Sequence, residues 1–229
     1  MTSTDTILEV SGLSSGYGEA TVIHEVTLSV GSGEIFALLG KNGMGKTTLL
    51  KTVMGYLPAQ KGSITLFSDD VTKQPPHRIA NRGVAYSPQN EAIFHDLTVR
   101  ENLLLGLSDP RSFGPEFERV CTIFPFMAER LTQRAGTLSG GEQKMLILAR
   151  ALMARPGLIL IDEITEGLQP SVIERLGKAL LEERAATGVS IFLVEQHIQF
   201  ALTVADRWAV MKLGEIDDAD LSSVPGAAA

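Results

Sequence analysis

Residues 35–39 and 158–161 are apolar at every position, and so are residues 191–194 within a β-rich stretch over 189–194. A strand with one face in water alternates apolar and polar residues. Unbroken runs of this length predict strands buried on both faces, as in a parallel sheet. Other segments carry helical spacing. Leu49, Leu50, Val53 and Met54 predict a helix over 47–55 with Gly55 as its stop. Met145, Leu148, Ala149 and Leu152 fall on one helix face, and residues 170–184 and 198–205 also read as helices. The stretch 90–155 is helical in character, with an interruption over 106–115. Near the start, residues 7–10 and 22–30 predict short strands set off by glycines, and Val84–Ser87 predicts another. Pro58, Gly62, Pro75 and Pro76 make 57–82 read as strand and loop. Strands alternating with helices predict an α/β core around a mostly parallel sheet. Residues 217–229, acidic and then small, predict a frayed tail.

Composition narrows the class. The chain has 229 residues, 44% of them apolar, which is enough for a sizeable core. No apolar run approaches the roughly 20 residues of a membrane-spanning helix. Acidic residues outnumber basic ones 27 to 20, a net charge of −7, which argues against a general nucleic-acid binder. The first residues show neither a basic nor an apolar secretory pattern. With one cysteine, Cys121, no intramolecular disulfide forms; a small packed side chain is the expected role. His24, His77, His95 and His197 stand too far apart for a metal-ligand pattern.

The chemistry concentrates after the first buried strand. Gly40-Lys41-Asn42-Gly43-Met44-Gly45-Lys46-Thr47 matches G-x-x-x-x-G-K-[ST] in full, between a strand and a helix. Its glycines let backbone N–H groups turn inward around phosphates, and the helix N-terminus favours an anion. Lys46 can reach terminal phosphates, and Thr47 can offer its hydroxyl to Mg²⁺. Residues 40–48, Thr48 included, form the candidate nucleotide-binding run. The same Thr48 breaks the dinucleotide pattern that Gly43 and Gly45 begin. A second anchor is Asp162-Glu163, at the end of the second buried run. A carboxylate there points into the crevice where such sheets bind ligands. Asp162 is the candidate metal ligand and Glu163 the candidate general base.

Leu138-Ser139-Gly140-Gly141-Glu142 selects among phosphate-loop proteins. Locally it reads as a capping box, Ser139 with Glu142, opening a helix to Ala154. The two bare glycines also suit close approach of a phosphate. With these motifs in this order, residues 7–216 resemble the ATP-binding-cassette (ABC) ATPases. The resemblance implies a phosphate-loop ATPase fold with a mostly parallel central sheet, an N-terminal antiparallel β subdomain and a helical subdomain over about 90–155. It implies one nucleotide-binding domain over 1–229, ATP and Mg²⁺ as ligands, and ATP hydrolysis. Tyr17 matches the aromatic that stacks on adenine. Gln89 matches the glutamine that touches Mg²⁺ or the attacking water. Ser139, Gly140 and Gly141 would meet the nucleotide of an opposing cassette.

Two positions depart from the family pattern. Ile164 stands where proline is usual, which removes a φ restraint after Glu163. The switch position, usually histidine, falls on Gln196 when counted back from Ala201-Leu202 and Asp206-Arg207; the other register places it on His197. Glutamine can hydrogen-bond a phosphate but carries no charge.

Residues 165–173 with 193–196, and 83–103, look like the cassettes of importers for branched-chain amino acids and for urea or short amides. Gln169-Pro170-Ser171 leans toward the urea or amide branch. The resemblance implies a second cassette, integral membrane permeases, a solute-binding protein at one remove, no nucleic acid, and a peripheral place on the cytoplasmic face of the membrane. A soluble ABC ATPase and a nucleotide-gated regulatory cassette with weak turnover are the alternatives.

Overall fold

A computed structural model of the protein describes residues 5–89 and 93–217. In chain order its elements are β1 (Thr6–Tyr17), β2 (Ala20–Gly31), β3 (Ile35–Leu39), α1 (Lys46–Val53), β4 (Ala59–Leu66), β5 (Asp69–Asp70), α2 (Pro76–Ala80) and β6 (Val84–Ser87). Then follow α3 (Val99–Leu104), α4 (Phe113–Ile123), α5 (Phe126–Glu129), α6 (Gly140–Met153), β7 (Leu158–Asp162), α7 (Pro170–Thr187), β8 (Ser190–Glu195), α8 (Ile198–Val204), β9 (Arg207–Lys212) and β10 (Glu215–Asp217).

The strands form two sheets. An antiparallel sheet runs β2-β1-β4-β5; a larger one runs β10-β9-β3-β8-β7-β6, parallel except for the β9–β10 pair at its edge. Every residue of β3, β7 and β8 is buried. Successive side chains go to opposite faces of a strand, and each face of the sheet has its own apolar layer. Phe36, Leu38, Leu158, Leu160, Phe192 and Val194 pack toward the antiparallel sheet and α1. Ile35, Ala37, Leu39, Ile159, Ile161, Ile191 and Leu193 pack toward α6, α7 and α8. That two-sided burial is the physical reason for the unbroken apolar runs.

Three features depart from the sequence reading. Pro75-Pro76 opens the short helix α2 rather than a loop, because proline at the first helical position loses no hydrogen bond. The interruption over 106–115 ends early: α4 starts at Phe113, and Pro115 sits in its first turn, where no N–H partner is needed. The edge pair β9 and β10 was not expected at all; its burial is partial and its place is set by pairing with β3. Helix α1 ends one turn-residue before Gly55, which takes a left-handed φ of 73°. The helical lobe α3–α6 lies between β6 and β7 in the chain. Arg119 of α4 ties it to the core: its guanidinium pairs with Glu183 of α7, donates to the Leu152 carbonyl at 2.6 Å and meets Glu116 at 3.1 Å. Asn90, where that lobe was expected to begin, and residues 218–229 of the expected frayed tail lie outside the described residues; Asp217, the first residue of that tail, instead ends β10. Among the described residues no helix is long and apolar enough to cross a membrane.

Candidate nucleotide site

The loop 40–45 leaves the C-terminal end of β3 and feeds α1. Gly43 and Gly45 take φ of 79° and 102°, values that glycine adopts without steric cost. A Cβ on Gly45 would lie 2.9 Å from the Ile23 side chain, and one on Gly40 would lie 2.7 Å from the Met211 carbonyl oxygen. Nothing lies within 4 Å of a Cβ at Gly43, so the loop is open there. It is anchored behind by Met44, whose carbonyl accepts from Gly214 N–H at 3.0 Å. The first turn of α1 leaves the N–H groups of Lys46, Thr47 and Thr48 without intrahelical acceptors, which is an anion site in waiting.

Six side chains meet at this turn: Asn42, Lys46, Thr47, Gln89, Asp162 and Glu163. Lys46 Nζ lies 2.8 Å from Glu163 Oε1 and donates to the Lys41 carbonyl at 2.9 Å; the two side chains are only 3% and 4% exposed. Thr47 Oγ1 donates to Asp162 Oδ1 at 3.1 Å. Gln89 Nε2 donates to Glu163 Oε2 at 2.9 Å and to Glu166 Oε2 at 2.6 Å. Asn42, with its amide NH₂ turned to the carboxylate as the hydrogen-bond network requires, donates to both Glu163 oxygens at 3.2 Å. Burial pushes the Asp162 carboxyl above the usual carboxylate range, and hydrogen bonds from Thr47 and Tyr86 pull it back.

A cleft of about 520 Å³ joins Tyr17 to Thr47, Lys51, Tyr56, Gln89 and Asp162. Tyr17, half exposed at the end of β1, therefore faces the same space as the phosphate loop. The donor set is one hydroxyl, one carboxylate and one amide around an open glycine loop. That fits Mg²⁺, which keeps waters and binds through few protein oxygens plus substrate phosphates.

Not every candidate joins this cluster. Ser139 caps α6, accepting from Glu142 N–H at 3.3 Å while Glu142 Oε2 accepts from Ser139 N–H at 2.9 Å, the capping box expected from sequence. Ser139 and Gly140 are exposed, and none of Ser139, Gly140 and Gly141 lines the cleft. Gln196 is exposed just after β8. His197 caps α8, its Nδ1 accepting from Phe200 N–H at 3.1 Å.

Sequence reading missed three contributors. Tyr86 donates to Asp162 Oδ2 at 3.1 Å, and burial, with the Asp162 charge second, pushes its hydroxyl pKa well up. A tyrosine within a buried strand is itself a signal, since its hydroxyl needs a partner. Lys144 of α6 donates to the Glu163 carbonyl at 3.2 Å, and burial lowers its pKa. Glu195 ends β8 with a fully buried carboxylate, which burial pushes upward.

Comparison with known proteins places this arrangement. Residues 23–166 match the family model described as ABC transporter. The chain is 40% identical over 212 residues to the high-affinity branched-chain amino acid transport ATP-binding protein BraG of Pseudomonas aeruginosa, covering 92% of this chain and 91% of that one. It is 33% identical to the probable branched-chain amino acid transport ATP-binding protein LivF of Archaeoglobus fulgidus, covering 92% and 90%. It is 36% identical to the lipopolysaccharide export system ATP-binding protein LptB of Escherichia coli, covering 91% and 88%. Among solved structures, an ATP-binding cassette of an ABC transporter in its ADP conformation superposes with a TM-score of 0.81 at 28% identity, covering 93% and 90%. The chain belongs to the ABC transporter family, as an ATP-binding subunit of the kind that hydrolyses ATP.

Proposed function

We propose that this subunit powers uptake of branched-chain amino acids and hydrolyses ATP at the Lys46–Glu163 pair. The pair carries the chemical reading: a buried ammonium on the phosphate loop 2.8 Å from a buried carboxylate. Phosphate oxygens arriving at the loop compete for Lys46 and release Glu163. The freed carboxylate accepts the proton of the attacking water in an in-line displacement. Gln89, already hydrogen-bonded to Glu163, orients that water, and Tyr17 stacks on the adenine. Thr47, Asp162 and Gln89 would hold Mg²⁺. When bound, the ion neutralises charge on the phosphate oxygens.

Ser139, Gly140 and Gly141 do not line this cleft; in the proposed reading they serve the nucleotide of a second cassette. That cassette is the same chain or, better suited to an uncharged Gln196 at the switch position, a companion subunit. Residues 1–229 act as one cassette whose lobe over about 90–155 meets membrane permeases at the cytoplasmic face. A solute-binding protein delivers the cargo.

The branched-chain assignment is supported by the names of BraG and LivF. Urea or short amides, toward which Gln169-Pro170-Ser171 leans, form the competing solute class. The name of LptB favours a second reading, export of lipopolysaccharide. Reconstitution with candidate permeases tests all three. ATP turnover stimulated by leucine on its binding protein, and not by urea, amides or lipopolysaccharide, is the expected result. Stimulation by one of the others alone would replace the solute assignment.

A further inference from the structure

Strand β8 ends as β7 does, with an apolar run and then a carboxylate. Asp162 serves the phosphate loop, but Glu195 faces elsewhere. Its carboxylate is fully buried. Oε1 accepts the Thr165 N–H at 3.1 Å; Oε2 accepts Thr165 Oγ1 at 2.8 Å and, at a longer 3.5 Å, the N–H of His197. One buried carboxylate thus holds two segments: the turn after Glu163 and the backbone that carries Gln196. A carboxylate persists in a protein interior only where donors match its lone pairs. Among the described residues every donor to it comes from those two segments.

The turn so held is under strain. Glu163 has φ 45°, left-handed for a residue with a side chain. Ile164 stands where the family pattern has proline, so no ring restrains φ there. Two other restraints act in its place. The Ile164 side chain is buried in the apolar layer beside α6 and α7, and Thr165 is fastened to Glu195. The Glu163 backbone is held between Val194, whose carbonyl accepts its N–H at 2.9 Å, and Lys144.

We propose that Glu195 is a positioning residue for ATP hydrolysis: it clamps Thr165 to the start of the switch segment, fixes the strained turn that aims the Glu163 carboxylate, and ties the place of Gln196 to it. The proposal rests on the reading of Glu163 as the base and Gln196 as the switch. Among the described residues the Glu195 carboxylate makes no hydrogen bond to the phosphate loop. Only its main-chain carbonyl meets the loop, accepting the Gly40 N–H at 3.2 Å, a bond that a side-chain substitution keeps. Loss of the carboxylate therefore acts through Thr165 and Glu163. ATP binding, carried by the loop, Lys46 and Tyr17, is independent of the clamp.

The test uses the full chain, with ATP affinity by equilibrium titration and kcat per ATP-binding molecule. Glu195→Gln and Thr165→Val each lower kcat by on the order of tenfold to a hundredfold, because a misplaced catalytic group loses that much. KM for ATP stays at the parental value. Thr165→Ser, which keeps the hydroxyl, restores the parental kcat. A parental kcat in both Glu195→Gln and Thr165→Val beside an inactive Glu163→Gln overturns the clamp and leaves the base assignment standing. A fall in folded fraction with unchanged kcat per binding molecule also overturns it, since that is a structural role only. If Glu163→Gln itself turns over at the parental rate, the base assignment fails and the clamp falls with it.

Discussion

Replacing Arg119 by alanine should uncouple the helical lobe from the core. Arg119 is mostly buried and Glu183 is 1% exposed, with Oε2 already lacking a partner among the described residues. The substitution strands that carboxylate and removes one donor from the Leu152 carbonyl, which accepts from Arg119 at 2.6 Å and keeps the Arg155 N–H at 3.0 Å. Breaking a buried pair from one side costs about 3–5 kcal/mol. Urea unfolding of the full chain at pH 8, extrapolated to water, reads the loss directly. The double variant Arg119→Met with Glu183→Leu removes both charges. Its remaining deficit is one hydrogen bond to the Leu152 carbonyl, about 1 kcal/mol, because that carbonyl keeps the Arg155 N–H at 3.0 Å and Glu116 keeps the Arg155 side chain at 2.6 Å.

The pH dependence has a definite sign. Burial already raises the Glu183 carboxyl, and the Arg119 charge pulls it back; without Arg119 it rises further. A carboxyl raised in the fold destabilises it above the raised value, and not below its unfolded value of about 4.3. The Arg119→Ala deficit therefore shrinks as pH falls from the raised value toward the unfolded one. A loss below about 1 kcal/mol, a double variant no more stable than the single, or a deficit that grows with acidity would refute the reasoning.

Three further outcomes are expected. Ser139→Ala loses the α6 cap, about 1 kcal/mol in a denaturant titration; ATP affinity of the isolated chain holds while turnover of the assembled pair falls. His197→Ala also costs about 1 kcal/mol by removing the α8 cap and leaves turnover intact, whereas Gln196→Ala lowers turnover; the reverse pattern in an ATPase assay would move the switch to His197. Tyr86→Phe removes one of the two side-chain donors to Asp162. It weakens Mg²⁺-dependent ATP binding several-fold in a metal titration, roughly the 1 kcal/mol of one hydrogen bond, and leaves metal-free nucleotide binding unchanged.

Local patterns were legible in the sequence, and pairings across the sheet were not. β3, β7 and β8 stood out because a parallel strand covered on both faces has no polar positions to vary. β9 carries Arg207 and Lys212 at its ends and is half buried, so its identity comes from pairing with β3. The phosphate loop and the Ser139–Glu142 box could be read because all their partners lie within a few residues. Tyr86 meets Asp162 across 76 positions, and Thr165 meets Glu195 across 30. Only the order β8-β7-β6 in the folded sheet brings those side chains together. The Ile164 departure was visible as a lost restraint, but what replaces it was not.

The central claim is that Glu163, released from Lys46 by the incoming phosphates, is the base for ATP hydrolysis. The most direct measurement compares ATP binding and Mg²⁺-dependent turnover of the parent chain with those of Glu163→Gln. The variant should bind ATP at least as tightly as the parent, having lost the carboxylate that competes for Lys46, and its turnover should fall by on the order of a hundredfold or more. Parental turnover in the variant would contradict it.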